Sequence, residues 1–393
     1  MNTRAELKVW VLASPLDRHE SSEALAALRA LWPGTVAQED DPSEADIALF
    51  ATGGVEGTYI AGAEARRLPP LLIAVPGRNG FAAAVEVVAW SKLHGRPALL
   101  QALAPHPSFH LACAAAQGVR ALRGTCVSLI GETAPWLVAS QPDRREMIQR
   151  WGVRCDETPW ENFDLDDSAP SAGSTWSQYP RDGVSAAALE AAEALRDHLL
   201  MWARRRRPDA LAIACFDLLQ SHQVSGCLAL ADLNGQGIPS ACEGDLLAAL
   251  GMLMMRRLGL EEPVWMANAV AHDGATLRLA HCTVAPSLVQ DIVLRPHAES
   301  ASSAAVSGRF PAGQPVTVFR LSADLRRAMV VEGQLEEAAA PVGCRTHALV
   351  RCAQPLDALL GNHHLLLRGH HLAALTPFVQ LLGLEDIMAP SRR

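Results

Sequence analysis

Short apolar runs alternate with helical patterns over the first third of the chain. The apolar runs predict buried strands at 7–13, 47–51, 71–75, 97–102 and 125–131. Apolar positions at helical spacing predict helices at 21–31, 57–67, 79–93 and 110–123. Strict alternation of strands and helices favours a parallel sheet covered on both faces. We therefore predict a Rossmann-like or flavodoxin-like α/β domain over residues 1–154.

The stretch 155–184 breaks this alternation, because it is rich in Asp, Ser, Pro and Gly. Such a composition is typical of a long surface connection or of an active-site loop. Beyond it, the alternation resumes with predicted elements at 184–207, 210–215, 221–232, 241–245, 246–258, 263–267 and 276–283. This pattern predicts a second α/β domain over residues 155–289.

From about residue 290 onward, strand-like alternation dominates the pattern. Strands are expected at 315–321, 328–332 and 347–352, and a terminal helix at 372–382. We predict a small β-rich, barrel-like domain over residues 290–393. The predicted fold class is thus α/β, with parallel-sheet domains followed by a barrel-like C-terminal domain.

Composition narrows the class of function. The chain has 393 residues and a formal net charge of −8, which argues against a nucleic-acid partner. Its one basic run, 204–207, is either a solvated helix end or a phosphate-binding patch. No apolar run approaches the roughly 18 residues of a membrane span, and the nine cysteines form no CxxC pair. We expect a soluble cytoplasmic protein with no membrane partner.

The densest polar constellation is Cys242-Glu243-Gly244-Asp245, which lies just before an apolar helical pattern. Its two carboxylates could ligate a hard divalent cation, or one could act as a general base. The alternative interpretation is that they cap the following helix, since acidic groups stabilise a helix N-terminus.

Histidines form the second candidate group. The segments Gly361-Asn362-His363-His364 and Gly369-His370-His371 suit tight loops that carry imidazole ligands, or ordinary surface turns. His281 ends a predicted strand, where a histidine is either a ligand or a hydrogen-bonded structural residue.

The glycine-rich segment 52–57 follows a predicted strand and could cradle an anion at a helix N-terminus. It lacks the GxGxxG and GK[ST] spacings of nucleotide-binding loops. The chain also contains no GxSxG elbow and no HExxH motif, so hydrolase and zincin functions have no support.

Four segments taken together resemble the L-fucose isomerase family and, more distantly, the arabinose isomerases. They are ATGGVEG (51–57), CLALADLNGQGIPSACEGD (227–245), MANAVAHDGATLRLAHCT (266–283) and GNHHLLLRGHH (361–371). The resemblance is clearest over residues 210 to 385, where the segments follow the order of the family's motifs.

This resemblance implies a site for Mn²⁺, or for another divalent cation such as Mg²⁺ or Co²⁺. The family's metal glutamate falls on Glu243, its metal histidine on His363 and its metal aspartate on Asn268. His281 stands where the arabinose isomerases have a further ligand. By the same resemblance, the chain is expected to form a homo-oligomer.

The resemblance also implies an aldose–ketose isomerase that acts on a free monosaccharide, of the deoxyhexose or pentose type, through an enediolate. Glu243 is then expected to move a proton between C2 and C1. Asn268 occupies the position of the second catalytic residue. Because an amide cannot accept and return a proton, that role would pass to Asp245, to His281 or to a metal-bound water.

Two further expectations complete this prediction. Glu132, which follows a strand in the sequence LIGET, is expected to contact substrate hydroxyls together with His281. The alternative function is a sugar-binding or sugar-acid-binding protein on the same fold, with a regulatory role or a different metal-assisted chemistry. The particular sugar is not encoded in any motif of the chain.

Overall fold

The computed structural model describes residues 6–16, 20–65, 69–77, 79–163, 175–338 and 343–389. The chain divides into two compact units. The first comprises Met1–Arg123, Arg257–Leu260 and Ala373–Asp386. The second comprises Gly124–Arg256, Glu261–Leu372 and Ile387–Arg393.

The described part of the first unit is built on a five-stranded parallel sheet of order β2-β1-β3-β4-β5. Its elements are β1 (Glu6–Leu12), α1 (Glu20–Leu31), β2 (Thr35–Gln38), β3 (Ile47–Phe50), α2 (Glu56–Ala65), β4 (Leu71–Ala74), α3 (Gly80–Leu93), β5 (Leu99–Ala102) and α4 (Pro107–Arg120). This strand order is that of flavodoxin-like folds.

The central strands of this sheet are buried on both faces. Phe50 and Ala74 pack with Ala83 and Val87 of α3 in one apolar cluster. The alternate residues, such as Leu49, are also fully buried. Burial on both faces explains why these strands are continuous apolar runs rather than alternating ones.

The second unit begins with a smaller parallel sheet, four-stranded in the described residues, of order β7-β6-β8-β9. Its elements are β6 (Cys126–Ile130), α5 (Arg144–Trp151), β7 (Arg154–Thr158), α6 (Ala186–Arg206), β8 (Ala210–Ile213), α7 (Cys215–His222), α8 (Cys227–Gly235), β9 (Ser240–Ala241) and α9 (Leu246–Arg257). The strand β9 forms one edge of this sheet.

A closed antiparallel barrel follows within the same unit. The remaining strands are β10 (Trp265–Asp273), β11 (Thr276–His281), β12 (Gln290–Arg295), β13 (Ala305–Arg309), β14 (Pro315–Leu321), β15 (Arg327–Glu336), β16 (Thr346–Cys352) and β17 (His363–Arg368). Among the described residues, six strands in the order β16-β11-β10-β17-β14-β15 close the barrel, because β15 pairs back with β16. The hairpin β12–β13 joins it through β16.

Alternate residues of the barrel strands share one apolar core. Trp265 and Ala267 of β10 lie in the same buried cluster as Leu279, Val318 and Leu366. The period of two identifies these residues as the barrel interior. In the chain, α10 (Leu372–Leu381) and β18 (Glu385–Asp386) follow the barrel.

The predicted fold class, parallel-sheet α/β domains followed by a barrel-like region, is confirmed. The single helix predicted at 221–232 is wrong, since α7 ends where Gln223 adopts a left-handed conformation (φ 59°) and α8 starts after Gly226. The segment 155–184 also contains most of strand β7, which the Asp-rich and Pro-rich composition concealed. None of the described helices is both long enough and apolar enough to cross a membrane.

Candidate metal centre

Glu243 lies in a tight turn between the edge strand β9 and helix α9. Its own backbone is left-handed (φ 59°), and so is that of Gly244 (φ 63°). A Cβ atom at Gly244 would lie 2.7 Å from the carbonyl oxygen of Glu132, so only glycine fits there. The amide of Gly244 donates to Ile213 O (2.9 Å), and the amide of Ala134 donates to Glu243 O (3.0 Å). These contacts hold Glu243 in a conformation that non-glycine residues seldom adopt.

Asp245 has two roles at the start of α9. One carboxylate oxygen accepts the amide of Ala248 (2.8 Å), so Asp245 caps the helix as the alternative interpretation proposed. The other oxygen contacts Nδ1 of His363 (2.8 Å) and lies 3.8 Å from a guanidinium nitrogen of Arg320. Asp245, His363 and Arg320 are all at least 98 % buried. The carboxylate therefore fixes the orientation of the His363 ring.

The barrel contributes two imidazoles to the neighbourhood of Glu243. His281 ends β11 and His363 begins β17. Their Nε2 atoms lie 3.7 Å and 3.4 Å from Oε1 of Glu243. Thr283 Oγ1 contacts Nδ1 of His281 (3.0 Å), while Trp136 Nε1 donates to the other carboxylate oxygen of Glu243 (2.7 Å). A neighbouring side chain thus contacts each of Glu243, His281 and His363 on the side that faces away from the other two.

This arrangement fits a metal ion. One ligand atom from each of Glu243, His281 and His363 lies within 4.8 Å of the other two, and all three residues are buried. Metal–ligand distances of about 2.1 Å place neighbouring ligand atoms about 3.0–3.4 Å apart, close to the observed separations. Nε2 of His363 is buried without a hydrogen-bond partner in the described structure. A partnerless ring nitrogen facing a carboxylate, with Nδ1 bonded to a second carboxylate, is the usual setting of a metal-ligating histidine.

The electrostatics of the group follow from burial and from close opposite charges. Burial alone would raise the pKa of Glu243, but His281 and His363 outweigh it and hold this pKa well below its usual range. Burial likewise opposes the ionised form of Asp245, whose pKa is nevertheless lowered by His363 and Arg320. Burial would lower the pKa of His363, yet the two carboxylates raise it to about 9. For His281 burial dominates, and its pKa is lowered.

Asn268 lies in register between Ala280 of β11 and His363 of β17. Its amide oxygen accepts a hydrogen bond from the side chain of Asn362, and its amide nitrogen lies 4.0 Å from the sulfur of Cys344. The backbone of Asn268 is therefore next to the metal centre. Its predicted roles as ligand and catalytic residue stay predictions.

The other predicted residues have different positions. Glu132 is exposed and lines a separate cavity, so its contact with substrate hydroxyls stays a prediction. His364 is fully buried and contacts Asn362 O through Nδ1 (2.8 Å). The prediction that His363 and His364 lie in a tight loop is wrong, because the apolar residues that follow draw both into β17.

Two residues at the centre were missed by sequence reasoning. Trp136 lies four positions after Glu132, in the loop after β6. A tryptophan after a strand end is only a weak indication of a functional residue. Arg320 lies within an otherwise apolar strand. Because arginine is seldom buried unless it is paired, this position could have indicated a buried acidic partner. It donates to Ser140 Oγ (2.8 Å) and to Ala139 O (3.1 Å).

The glycine-rich segment 52–57 belongs to the first unit, whereas Glu243, His281 and His363 belong to the second. Thr52, Gly53 and Gly54 line a cavity of ≈ 510 Å³ together with Ser14 and Asn79. The cavity lies at the carboxyl ends of β1 and β3, where flavodoxin-like sheets have their ligand crevice. Anion binding there stays a prediction.

No protein-family model matches the chain, and no curated protein matches it either.

Proposed function

We propose that this chain is a divalent-metal-dependent aldose–ketose isomerase, which acts on a free monosaccharide of the deoxyhexose or pentose type. The observation that carries the proposal is the partnerless, buried Nε2 of His363, which faces Glu243 while Asp245 fixes the ring from behind. The resemblance of the surrounding segments to the L-fucose isomerase family supplies the reaction class.

A bound divalent cation would act as a Lewis acid that lowers the cost of negative charge on the two enediolate oxygens. Glu243 would take the proton from C2 and return it to C1, since it is the carboxylate of the metal-ligating group. The hydroxyl proton would pass from O2 to O1 through His281 or water. Trp136 would hold one oxygen of that carboxylate, leaving the other directed at the two imidazoles.

The donor set favours some cations over others. Two imidazole nitrogens and one carboxylate oxygen suit transition metals better than Mg²⁺, which prefers oxygen ligands. Among the three cations implied by the resemblance, Mn²⁺ and Co²⁺ are therefore the proposed occupants.

A second candidate function is sugar or sugar-acid binding without isomerisation. It is favoured by the hydrogen bond from Asn362 to Asn268, because a neutral amide pair stands where the family has a proton-transferring acid. A protein with this function would keep the metal centre but would not transfer a proton between C2 and C1 of the sugar.

Metal content tests the centre first. The protein is loaded with Mn²⁺, dialysed and analysed for metal, alongside Glu243→Ala and His363→Ala. We expect about one Mn²⁺ per chain, lost in both variants. His370→Ala is the matched control, because His370 is exposed and belongs to the same C-terminal histidine cluster. Metal that persists in either ligand variant would overturn the proposal.

An aldose screen in deuterium oxide then separates the two functions. An isomerase working through an enediolate forms ketose and incorporates solvent deuterium at C1, because the proton passes through a protein acid. A binder raises the thermal midpoint with a sugar but forms no ketose. Asn268→Asp is expected to increase ketose formation, since it restores a carboxylate beside His363.

A further inference from the structure

A second cavity lies in the same unit as the metal centre, and none of the three metal-ligating residues lines it. Its volume is ≈ 780 Å³. Binding sites for small molecules usually enclose roughly 300–1,000 Å³. The cavity is large enough for a monosaccharide and far larger than a single hydrated ion requires.

The topology of the small sheet explains the position of this cavity. From β6 the chain passes to β7 on one side and then to β8 on the other. The order of strands therefore reverses between β6 and β8, which is where parallel α/β sheets open a crevice at the strands' carboxyl ends. Glu132 after β6, Trp160 after β7 and Asp217 after β8 all line the cavity.

The walls are built from close contacts. Trp160 Nε1 donates to Ala214 O (3.2 Å), which holds the indole across the strand ends. Gly131 is left-handed (φ 78°), and a Cβ atom there would lie 2.5 Å from Trp160 Nε1. Thr133, which also lines the cavity, donates to Gly244 O (2.8 Å). The indole and the loop after β6 are thus pre-positioned rather than mobile.

Charge distinguishes the classes of ligand that the cavity can take. Four carboxylates line it, those of Glu132, Glu157, Glu161 and Asp217. Arg144 pairs with Glu157. Within the described residues, Glu132 and Asp217 have no ion pair, and burial together with the charge of Glu132 raises the pKa of Asp217. Two neighbouring carboxylates without a cation repel acidic ligands and attract a cationic one.

We propose that this cavity is a binding site for a small polyhydroxylated amine, of the amino-sugar or amino-alcohol class. The ammonium group lies between Glu132 and Asp217, where charge-assisted hydrogen bonds are strongest. Ser221 and Gln220 offer hydrogen-bonding groups to hydroxyls, and Trp160 offers an apolar face to the carbon skeleton. The proposal requires neither metal binding nor isomerase activity, and it gives Glu132 a role in this cavity in place of the predicted contact with the isomerase substrate.

The test compares three probes of similar size and different charge. D-Glucosamine, D-glucose and D-glucuronate are titrated separately into the full-length, Mn²⁺-loaded protein near neutral pH, with binding followed by calorimetry or ligand-observed NMR. We expect D-glucosamine to bind about tenfold more tightly than D-glucose, and D-glucuronate most weakly. The preference should shrink as salt is added, because the cavity is open to solvent.

Variants assign the preference to the two carboxylates. In Glu132→Gln/Asp217→Asn, D-glucosamine should bind no better than D-glucose, with Mn²⁺ content and thermal midpoint unchanged. Glu336→Gln is the control, since it removes a partly exposed carboxylate from another ion pair of the same unit. Equal affinity for the three probes in the wild type, or a preference that survives in the double variant, would overturn the proposal. Binding of Ca²⁺ that displaces D-glucosamine would instead identify the pair as a metal site and overturn it as well.

Discussion

Two glutamates follow strands of the same small sheet and have opposite surroundings. Glu132 follows β6, is exposed and lines an open cavity. Glu243 follows the edge strand β9, is 7 % exposed and faces two imidazoles. Both positions satisfy the rule that ligand-binding residues gather at the carboxyl ends of parallel strands.

The difference between them comes from the barrel. The imidazoles at Glu243 belong to β11 and β17, whose ends bring His281 and His363 to the β9 edge. No described barrel residue lines the cavity at Glu132. A strand end therefore supplies a carboxylate, and a second layer of structure decides whether this carboxylate is buried against two imidazoles or exposed at an open cavity.

The largest expected effect is on metal-dependent stability. Mn²⁺ at about 1,000 times its Kd should stabilise the wild type by about 4 kcal/mol. Glu243→Gln should reduce this gain to about 1.4 kcal/mol, because at a roughly 100-fold weaker site the same Mn²⁺ concentration is only about 10 times the Kd. Glu132→Gln should keep the full gain. Urea unfolding with and without Mn²⁺ measures the stabilisation in each variant. An equal loss of stabilisation in Glu243→Gln and Glu132→Gln would contradict the proposed difference between the two glutamates.

The second-largest expected effect is a loss of metal affinity when Asp245, which contacts His363, is replaced. Asp245→Asn removes the charge that holds His363, and such changes typically weaken metal binding about 10–100-fold. Asp217→Asn, the corresponding amide at the open cavity, should leave metal affinity unchanged. Competition titrations against a chelator measure both affinities. An unaffected Asp245→Asn protein would mean that Asp245 serves as a helix cap alone.

A smaller effect, on the pH dependence of stability, distinguishes the buried His364 from the exposed His222. Burial, reinforced by the charge of Arg320, lowers the pKa of His364 from 6.5 to about 4. The unfolded chain therefore binds a proton below pH 6.5 that the folded protein excludes, so stability is complete above pH 6.5 and falls as the pH drops towards 4.

Between pH 7.5 and pH 5 this single group should remove about 2 kcal/mol of stability. His364→Gln should lack that part of the pH dependence, whereas His222→Gln, at the open cavity, should retain it. Urea unfolding at the two pH values measures the difference. Identical pH profiles for the wild type and His364→Gln would refute the assignment.

Local patterns in the sequence were sufficient to predict part of this picture. Apolar runs and their alternation predicted the fold class, and Glu243, His281 and His363 were singled out by strand ends and by family resemblance. The contact between Asp245 and His363 joins residues 118 positions apart, and Trp136 reaches Glu243 from 107 positions away. The barrel brings His363 to Asp245, and the strand order of the small sheet brings Trp136 to Glu243. No local pattern in the sequence encodes either arrangement.

The smallest effect tests the contact between the loop after β6 and the turn after β9. Trp136→Phe removes the hydrogen bond to Glu243 but keeps most of the ring, and Trp136 is 50 % exposed. The loss in metal affinity should be several-fold, about 1 kcal/mol, because water replaces part of the bond. Trp160→Phe is the matched change at the cavity and should weaken D-glucosamine binding or stability without altering metal affinity. If Trp136→Phe left metal affinity unchanged while Trp160→Phe lowered it, the two carboxylates would share one extended site, and the separation argued from their surroundings would fail.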